Sequence, residues 1–388
     1  MEVFSVHIPT KVIIGKGSIE KLREVVPAYG KKALLLTTGE DLKKVGTLDR
    51  ALNYLDEARV KVVVDNTIEP NPKTYNIDHA VKVMLAEECD VVIGLGGGSS
   101  MDAAKATALV AKNGGSINDY MLDGKKAQEA QTDTFPVICV TTTAGTGSEV
   151  TKIAVITDPV TKEKPGFGHE CMYPNVSIVD PELTLTLPIG VTAGTGVDVF
   201  YHAMEAYIAS FATPFTDVYA LEAMNLVKGN LHKVYNNAND IDARSKMAWA
   251  NTLAGFCITS SSTVAIHAIG HSVSGITDVS HAWGLCTIAK AYLDYTYDAD
   301  IGRYATISRI LGAPDSLTDK EAAKHCGDYF LSFLNDFNMP TCLSDVGLGV
   351  KDIDKITTDT FHAMQLALSA SLKRLSIQDV KNLLRKSL

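Results

Sequence analysis

Cysteine pairs, cationic clusters and long apolar runs are missing from this sequence, and each absence removes a class of function. The seven cysteines are odd in number and scattered, with no CxxC pair. That pattern excludes a disulfide framework and suits a reducing, cytoplasmic setting. Basic residues are outnumbered, 36 Lys+Arg against 45 Asp+Glu, giving a formal net charge of −9. Such a chain lacks the cationic face that nucleic acid requires, so no nucleic-acid partner is expected. Any phosphate-bearing ligand then has to be held locally, by backbone amides and helix ends. No apolar run approaches the ~20 residues of a membrane span, and no membrane partner is expected. The start, MEVFSVHIPTKVIIG, has no cationic stretch followed by an apolar block, so no secretory leader is expected. Internal repeats and low-complexity tracts are also absent. What is present is an average globular composition, 46% hydrophobic and 21% charged, over 388 residues. That length suggests two domains or three.

The first half alternates in period. Residues 3 to 14 read as one or two short strands interrupted by Pro9, and SIEKLREVVPAYG (18–30) as a helix stopped by Gly30. KALLLTTG (32–39) is a short apolar run closed by glycine, as a buried parallel strand would be. LKKVGTLDRALNYLDEA then reads as a helix, VKVVVDN (60–66) as a strand and EPNPKTYN (69–76) as a loop. A helix over roughly 76–88 precedes the strand DVVIGL (90–95), the GGGSS turn and a helix from Met101 to Lys112. FPVICVTTT (135–143) is a further strand. This β/α alternation implies a mainly parallel sheet covered on both faces. Beyond Pro188 only helical periodicity is found. The expected architecture is therefore an α/β domain over residues 1–187 and an all-helical domain over 188–388.

Two stretches of the second half carry the metal chemistry. In GVDVFYHAMEAYI, Asp198 and His202 stand four apart in an apolar, Ala-rich helix, so both point from one face. In AIHAIGHSVSGITDVSHAWGL, His267 and His271 repeat that spacing, and His281 follows beyond a turn expected at Gly275 to Asp278. Any one of these histidines alone is more simply a core histidine bonded to a backbone carbonyl. Asp198, His202, His267 and His281 together make a candidate divalent metal site, because imidazole and carboxylate are its expected ligands. HAIGH (267–271) has zinc-peptidase spacing, but Ala268 stands where the general-base Glu would be, which argues against a peptidase.

Two small-residue loops suggest a nucleotide. DVVIGLGGGSSMDAAK (90–105) runs strand, Gly-rich turn, helix, and the free N–H groups at such a helix start favour an anion. The fingerprint is imperfect, with Ser99 in place of the third glycine and no acidic residue at the usual distance. No Gly-Lys-Ser/Thr follows, so it is not a P-loop. Asp102 and Lys105 fall in the helix's first turns, where they complement its dipole or pair locally. TTTAGTGSEVT (141–151) is a second such loop, again after a strand. A nucleotide on one half and a metal on the other imply that the metal polarises an oxygen while the nucleotide exchanges a hydride.

GGGSSMDAAK, TTTAGTGSEVT, PNVSIVDPEL (174–183), GVDVFYHAMEAYI and the HAIGH…SHAWGL region together resemble the iron-dependent (group III) alcohol dehydrogenases. The resemblance runs essentially end to end, and its fold is the dehydroquinate synthase-like architecture. It implies metal ligation by Asp198, His202, His267 and His281, with Fe(2+) as the ion and Zn(2+) as the alternative. It implies pyrophosphate contacts from Gly97, Gly98 and Ser99. Asn71, Thr142, Thr143, Thr151 and Lys164 are implied around the rest of the dinucleotide. His271 matches a histidine near the nicotinamide, with a proton-relay or positioning role. Members often have HPLG after the second histidine where this chain has HSVSG (271–275), and Pro-His-Gly at the last ligand where it has Ser280-His281-Ala282. Trp283 follows, and it either narrows the substrate pocket or packs against a helix.

The expected activity is hydride transfer between a small alcohol or aldehyde and a nicotinamide cofactor, in a homodimer or larger homo-oligomer. A polyol dehydrogenase, a lyase resembling dehydroquinate synthase, and a catalytically silent metal- and nucleotide-binding protein are the alternatives. NAD-preferring relatives carry an Asp after the first buried parallel strand, where it bonds the ribose 2′-OH and repels a 2′-phosphate. Counted back from Gly46, that position is Gly39 here, which favours NADP over NAD.

Overall fold

Short runs of branched and apolar side chains, each closed by Gly or Thr or by a turn, build the first half. The computed structural model describes residues 3–388 except 128 and 130. Its strands are β1 (Lys11–Ile14), β2 (Lys32–Thr38), β3 (Lys61–Ile68), β4 (Val91–Gly96), β5 (Val137–Thr141), β6 (Ile153–Val155), β7 (Gly166–Gly168) and β8 (Val176–Val179). Six of them form one sheet in the order β1-β8-β5-β4-β2-β3, and every pair in it is parallel. β6 and β7 form a separate antiparallel pair. Side chains alternate across the sheet, as a period of two requires. Ala33 and Leu35 join Leu22, Leu48 and Leu55 on one face, while Leu34 and Leu36 join Ile77, Met84 and Leu109 on the other.

The strand order locates the cleft. From β2 the chain moves outward to β3 and then back past β2 to β4, so the winding reverses between β2 and β4. A crevice at the carboxyl ends of the strands, where the order reverses, is where α/β sheets bind ligands. β4 runs into helix α1 (Gly98–Asn113) there.

From Ile189 on, every regular element among the described residues is helical. The helices that matter for the site are α2 (Ile189–Tyr207), α3 (Pro214–Asn236), α4 (Ile241–Ser260), α5 (Ala265–Thr277) and α6 (His281–Thr296). They share one core that includes Phe200, Tyr201, Met224, Leu253, Ile269 and Leu285. Pro214 opens α3, where its missing N–H costs nothing, and the Thr213 hydroxyl accepts from Thr216 N at 3.2 Å. Asn251 on α4 accepts from Gly147 N at 3.0 Å and donates to Glu149 at 2.7 Å, which ties the loop after β5 to the helical half.

Several local expectations are corrected. The helix expected over 18–30 is three short pieces, Ser18–Lys21, Leu22–Val25 and Val26–Ala28. The pieces follow one another without a gap, and Pro27, with no N–H to donate, lies in the last of them, where the α-helix tightens to 3-10. Of residues 3–14 only Lys11–Ile14 is strand. The helix expected from Leu42 breaks at Gly46 (φ 77°) into Asp41–Lys44 and Thr47–Glu57. α5 continues through Gly275 and ends at Asp278, whose left-handed φ of 57° forms its cap. The β6–β7 pair and β8 were not anticipated.

Candidate functional site

α2 projects Asp198 and His202 from one face, α5 brings His267, and His281 opens α6. One donor atom from each of the four lies within 4.8 Å of every other. Asp198 Oδ1 stands 3.8 Å from His267 Nε2 and 3.6 Å from His281 Nε2. His202 Nδ1 donates to the Gly145 carbonyl at 3.1 Å, which leaves its Nε2 with a lone pair. His267 Nδ1 donates to Glu205 at 2.6 Å, so its Nε2 is a lone pair as well. The two Nε2 atoms face each other at 3.1 Å. Two lone pairs at that distance repel unless a cation lies between them. Asp198 Oδ1 is buried beside them without a hydrogen-bond partner. A buried orphan carboxylate oxygen costs several kcal/mol if left so, and a divalent ion fits the donor set.

The electrostatics agree. Burial, and then the nearby Glu205, pushes the Asp198 carboxyl well above the usual range. Burial does the same to Glu205. Burial holds His202, His271 and His281 well below their ordinary values and His267 down at about 3. The pocket therefore offers neutral imidazoles and two carboxyls that only a cation would keep ionised.

His271 stands one turn on from His267 along α5, with its ring centroid 4.9 Å from that of His281. Its Nδ1 donates to the Lys164 carbonyl at 2.8 Å. Its Nε2 is thus the lone-pair nitrogen. Lys164 is buried, and its Nζ donates to Asn71 Oδ1 at 2.8 Å. Burial and then Lys73 lower the Lys164 ammonium to about 8. Asn71, at a left-handed φ of 54°, also donates to Asp278 at 3.1 Å. The loop carrying Lys164 is held from α-helical residues 353–363: His362 Nδ1 donates to Glu163 at 2.5 Å and Nε2 to Asp123 at 3.1 Å.

The residues expected at the cofactor follow the carboxyl ends of successive strands: Gly39 after β2, Asn71 after β3, Gly97, Gly98 and Ser99 after β4, and Thr142, Thr143 and Thr151 after β5. The two small-residue loops touch. A Cβ on Gly98 would come within 2.6 Å of Thr146 Cγ2, so this close approach requires glycine. Gly98 and Ser99 open α1, whose first N–H groups are available to an anion.

Four features were missed from the sequence: Glu205, the Gly145 carbonyl, the Lys73–Asp278 pair at 2.7 Å, and the Glu149–Asn251 tie. Glu205 had a signal, since 198, 202 and 205 share one helix face. Trp283, left open between two roles, is 40% exposed in the first turn of α6.

A family model described as iron-containing alcohol dehydrogenase matches residues 9–181, and one described as the C-terminal part of the Fe-containing alcohol dehydrogenase family matches 192–388. The NAD-dependent methanol dehydrogenase of Bacillus methanolicus is 33% identical over 384 residues, 98% of this chain and 99% of its own. Among solved structures, an archaeal halo-thermophilic Red Sea brine pool alcohol dehydrogenase is 38% identical, with TM-score 0.96 over 100% of both chains. The NADH-dependent butanol dehydrogenase A of Thermotoga maritima is 29% identical, with TM-score 0.92 over 100% of this chain and 99% of its own.

Proposed function

This chain belongs to the iron-containing alcohol dehydrogenase family, a metal-dependent alcohol dehydrogenase and aldehyde reductase by class, and on that premise we propose how its own residues serve the reaction. Asp198, His202, His267 and His281 hold a divalent ion, iron(II) by preference over zinc. The observation that carries this is the convergence of three imidazole nitrogens on an unpartnered buried carboxylate oxygen. When bound, the ion supplies Lewis acidity to a hydroxyl or carbonyl oxygen, and a nicotinamide cofactor supplies the hydride carrier. The amides of Gly97 to Ser99 receive the pyrophosphate, and Asn71, Thr142, Thr143, Thr151 and Lys164 surround the rest of the dinucleotide. His271, fixed by the Lys164 carbonyl, presents its Nε2 lone pair and passes a proton between substrate oxygen and water. The halves divide this work at 187/188, a reading supported by β8 ending at Val179 and α2 starting at Ile189. None of the seven cysteines is paired, which supports a reducing, cytoplasmic setting. A homodimer or larger assembly is part of the proposal through the family alone.

The substrate proposed is a small primary alcohol or its aldehyde. Absorbance of the reduced nicotinamide, followed over a panel of aldehydes with both cofactors, tests this reading. Turnover of butanol-type substrates is expected. Preference for glycerol would move the assignment to a polyol dehydrogenase, and no turnover at all would leave a silent binding protein.

For cofactor choice the proposal is NADP. Gly39 has open space where a Cβ would stand, and no carboxylate at that position excludes a 2′-phosphate. The neighbouring Glu40 accepts a hydrogen bond from Asn66, so its carboxylate is already engaged. The expected result is a kcat/KM ratio favouring NADPH over NADH, with Gly39→Asp shifting that ratio at least about tenfold towards NADH, roughly 1.4 kcal/mol. Asp tolerates the left-handed φ of 52° at this position better than most residues. A wild-type preference for NADH, or an unchanged ratio in the variant, would refute the role of this position.

A further inference from the structure

Glu205 takes no part in the ligand set, yet it is fully buried and its hydrogen bonds lead to His267 and to the start of α5. Its Oε1 accepts from His267 Nδ1 at 2.6 Å. Its Oε2 accepts from Val264 N at 2.7 Å and His267 N at 3.4 Å. Val264 is the residue immediately before α5, so these are N–H groups that the helix itself leaves unbonded. A carboxylate there also opposes the positive end of the helix. One side chain thus fixes both the main chain that carries His267 and the ring itself.

We propose that Glu205 is the positioning residue of the metal centre, holding His267 in the Nδ1–H tautomer with Nε2 turned to the ion. Three observations carry this. First, a carboxylate oxygen at Nδ1 is the partner that makes Nε2 the ligating nitrogen, and such partners set ring orientation and ligand basicity. Second, its other oxygen accepts from the backbone N–H groups of Val264 and His267, so the same side chain also fixes the main chain that carries the ring. Third, Glu205 is shared: it stands three residues after His202 and seven after Asp198 on α2, and so couples the register of α2 to that of α5. The other three ligands lack an equivalent. His202 rests on a neutral carbonyl, and His281 Nδ1 is buried with no partner.

Glutamine cannot reproduce this arrangement. With its oxygen towards His267 Nδ1, its NH2 faces the two backbone N–H donors. With the amide turned round, its NH2 faces Nδ1 and selects the tautomer whose Nε2 carries hydrogen and cannot ligate.

The inference rests on the metal reading above, and the test separates the two. Chelator-stripped wild type, Glu205→Gln and Glu205→Asp are titrated with cobalt(II), whose visible bands report the ligand field, and the urea midpoint of each stripped protein is measured alongside. Glu205→Gln is expected to bind cobalt about 10–100-fold more weakly, and Glu205→Asp, which keeps the charge, more tightly than Glu205→Gln. Wild type that takes up no cobalt refutes the metal reading itself. Wild type that binds, with Glu205→Gln binding equally well and differing only in its urea midpoint, reduces Glu205 to a packing role and overturns the inference. A measurement on unaltered protein stands whether or not the variants fold. In the zinc-loaded wild type, nitrogen-15 histidine spectra are expected to show an exchange-protected proton on His267 Nδ1. A proton on Nε2 instead overturns the proposal.

Discussion

His281→Ala is expected to lose metal and activity together, whereas His271→Ala keeps its metal and loses rate. The two histidines are neighbours, and both lie on or beside the HAIGH…SHAW stretch, so sequence spacing alone does not separate them. Their positions do. His281 Nε2 is 3.6 Å from Asp198 Oδ1, inside the group of four donors. His271 is outside that group, with its Nδ1 committed to the Lys164 carbonyl at 2.8 Å. Removing a ligand should cost more affinity than the about 10–100-fold lost with a supporting partner. Removing a proton-transfer residue should cost about 10²–10⁴ in kcat with the ion retained. Metal analysis of the two purified variants, beside their turnover, decides the matter. If His271→Ala is the metal-free protein, the roles are reversed.

The second large effect is on stability. Lys105→Met is expected to destabilise the protein by about 3–5 kcal/mol, the range for breaking a buried charged network by removing one partner. The Lys105 side chain is fully buried. Its ammonium donates to Ser148 O at 3.1 Å, Ser148 Oγ at 2.7 Å and Thr151 O at 3.2 Å, and also to the Ile153 carbonyl. Asp102 lies 3.3 Å away and accepts from Ser148 Oγ at 2.5 Å and Val155 N at 2.9 Å. Methionine matches the stem but takes the ammonium donor away from three carbonyl oxygens and the Ser148 hydroxyl, and leaves the Asp102 carboxylate without its counter-charge. The urea midpoint measures the loss. A change below about 1 kcal/mol, as for an exposed pair, would show that this network is not what holds the 148–155 segment.

Lys105 also shows where the sequence stops being informative. Its position in the first turns of a helix suggests dipole pairing, and local pairing with Asp102 does occur. Its main partners are 43 to 48 residues further on, across a strand and a loop. No local pattern encodes that. Asp198 and His202 were legible for the opposite reason, since a four-residue spacing on one helix is a geometric statement in itself. The strand–glycine–helix pattern of 90–105 was legible in the same way. β8 was not, because four buried residues between Asn175 and Asp180 carry too little pattern to tell strand from turn. Glu205 lay on the face already identified, but a lone glutamate in a helix reads as solvent-facing until its burial is known. The tightening to 3-10 at Val26–Ala28 was readable in Pro27, which cannot donate to the turn before it.

The central claim is that the four-residue cluster holds the ion on which the chemistry depends. The direct measurement is turnover of an aldehyde, followed through the reduced nicotinamide, by chelator-stripped protein given increasing iron(II) without oxygen. Activity is expected to be absent from the stripped protein, to rise linearly and to level off at one equivalent, above the plateau reached with zinc and falling on exposure to air. Full turnover by the stripped protein, or zinc-loaded protein that equals or exceeds the iron form, would contradict the account.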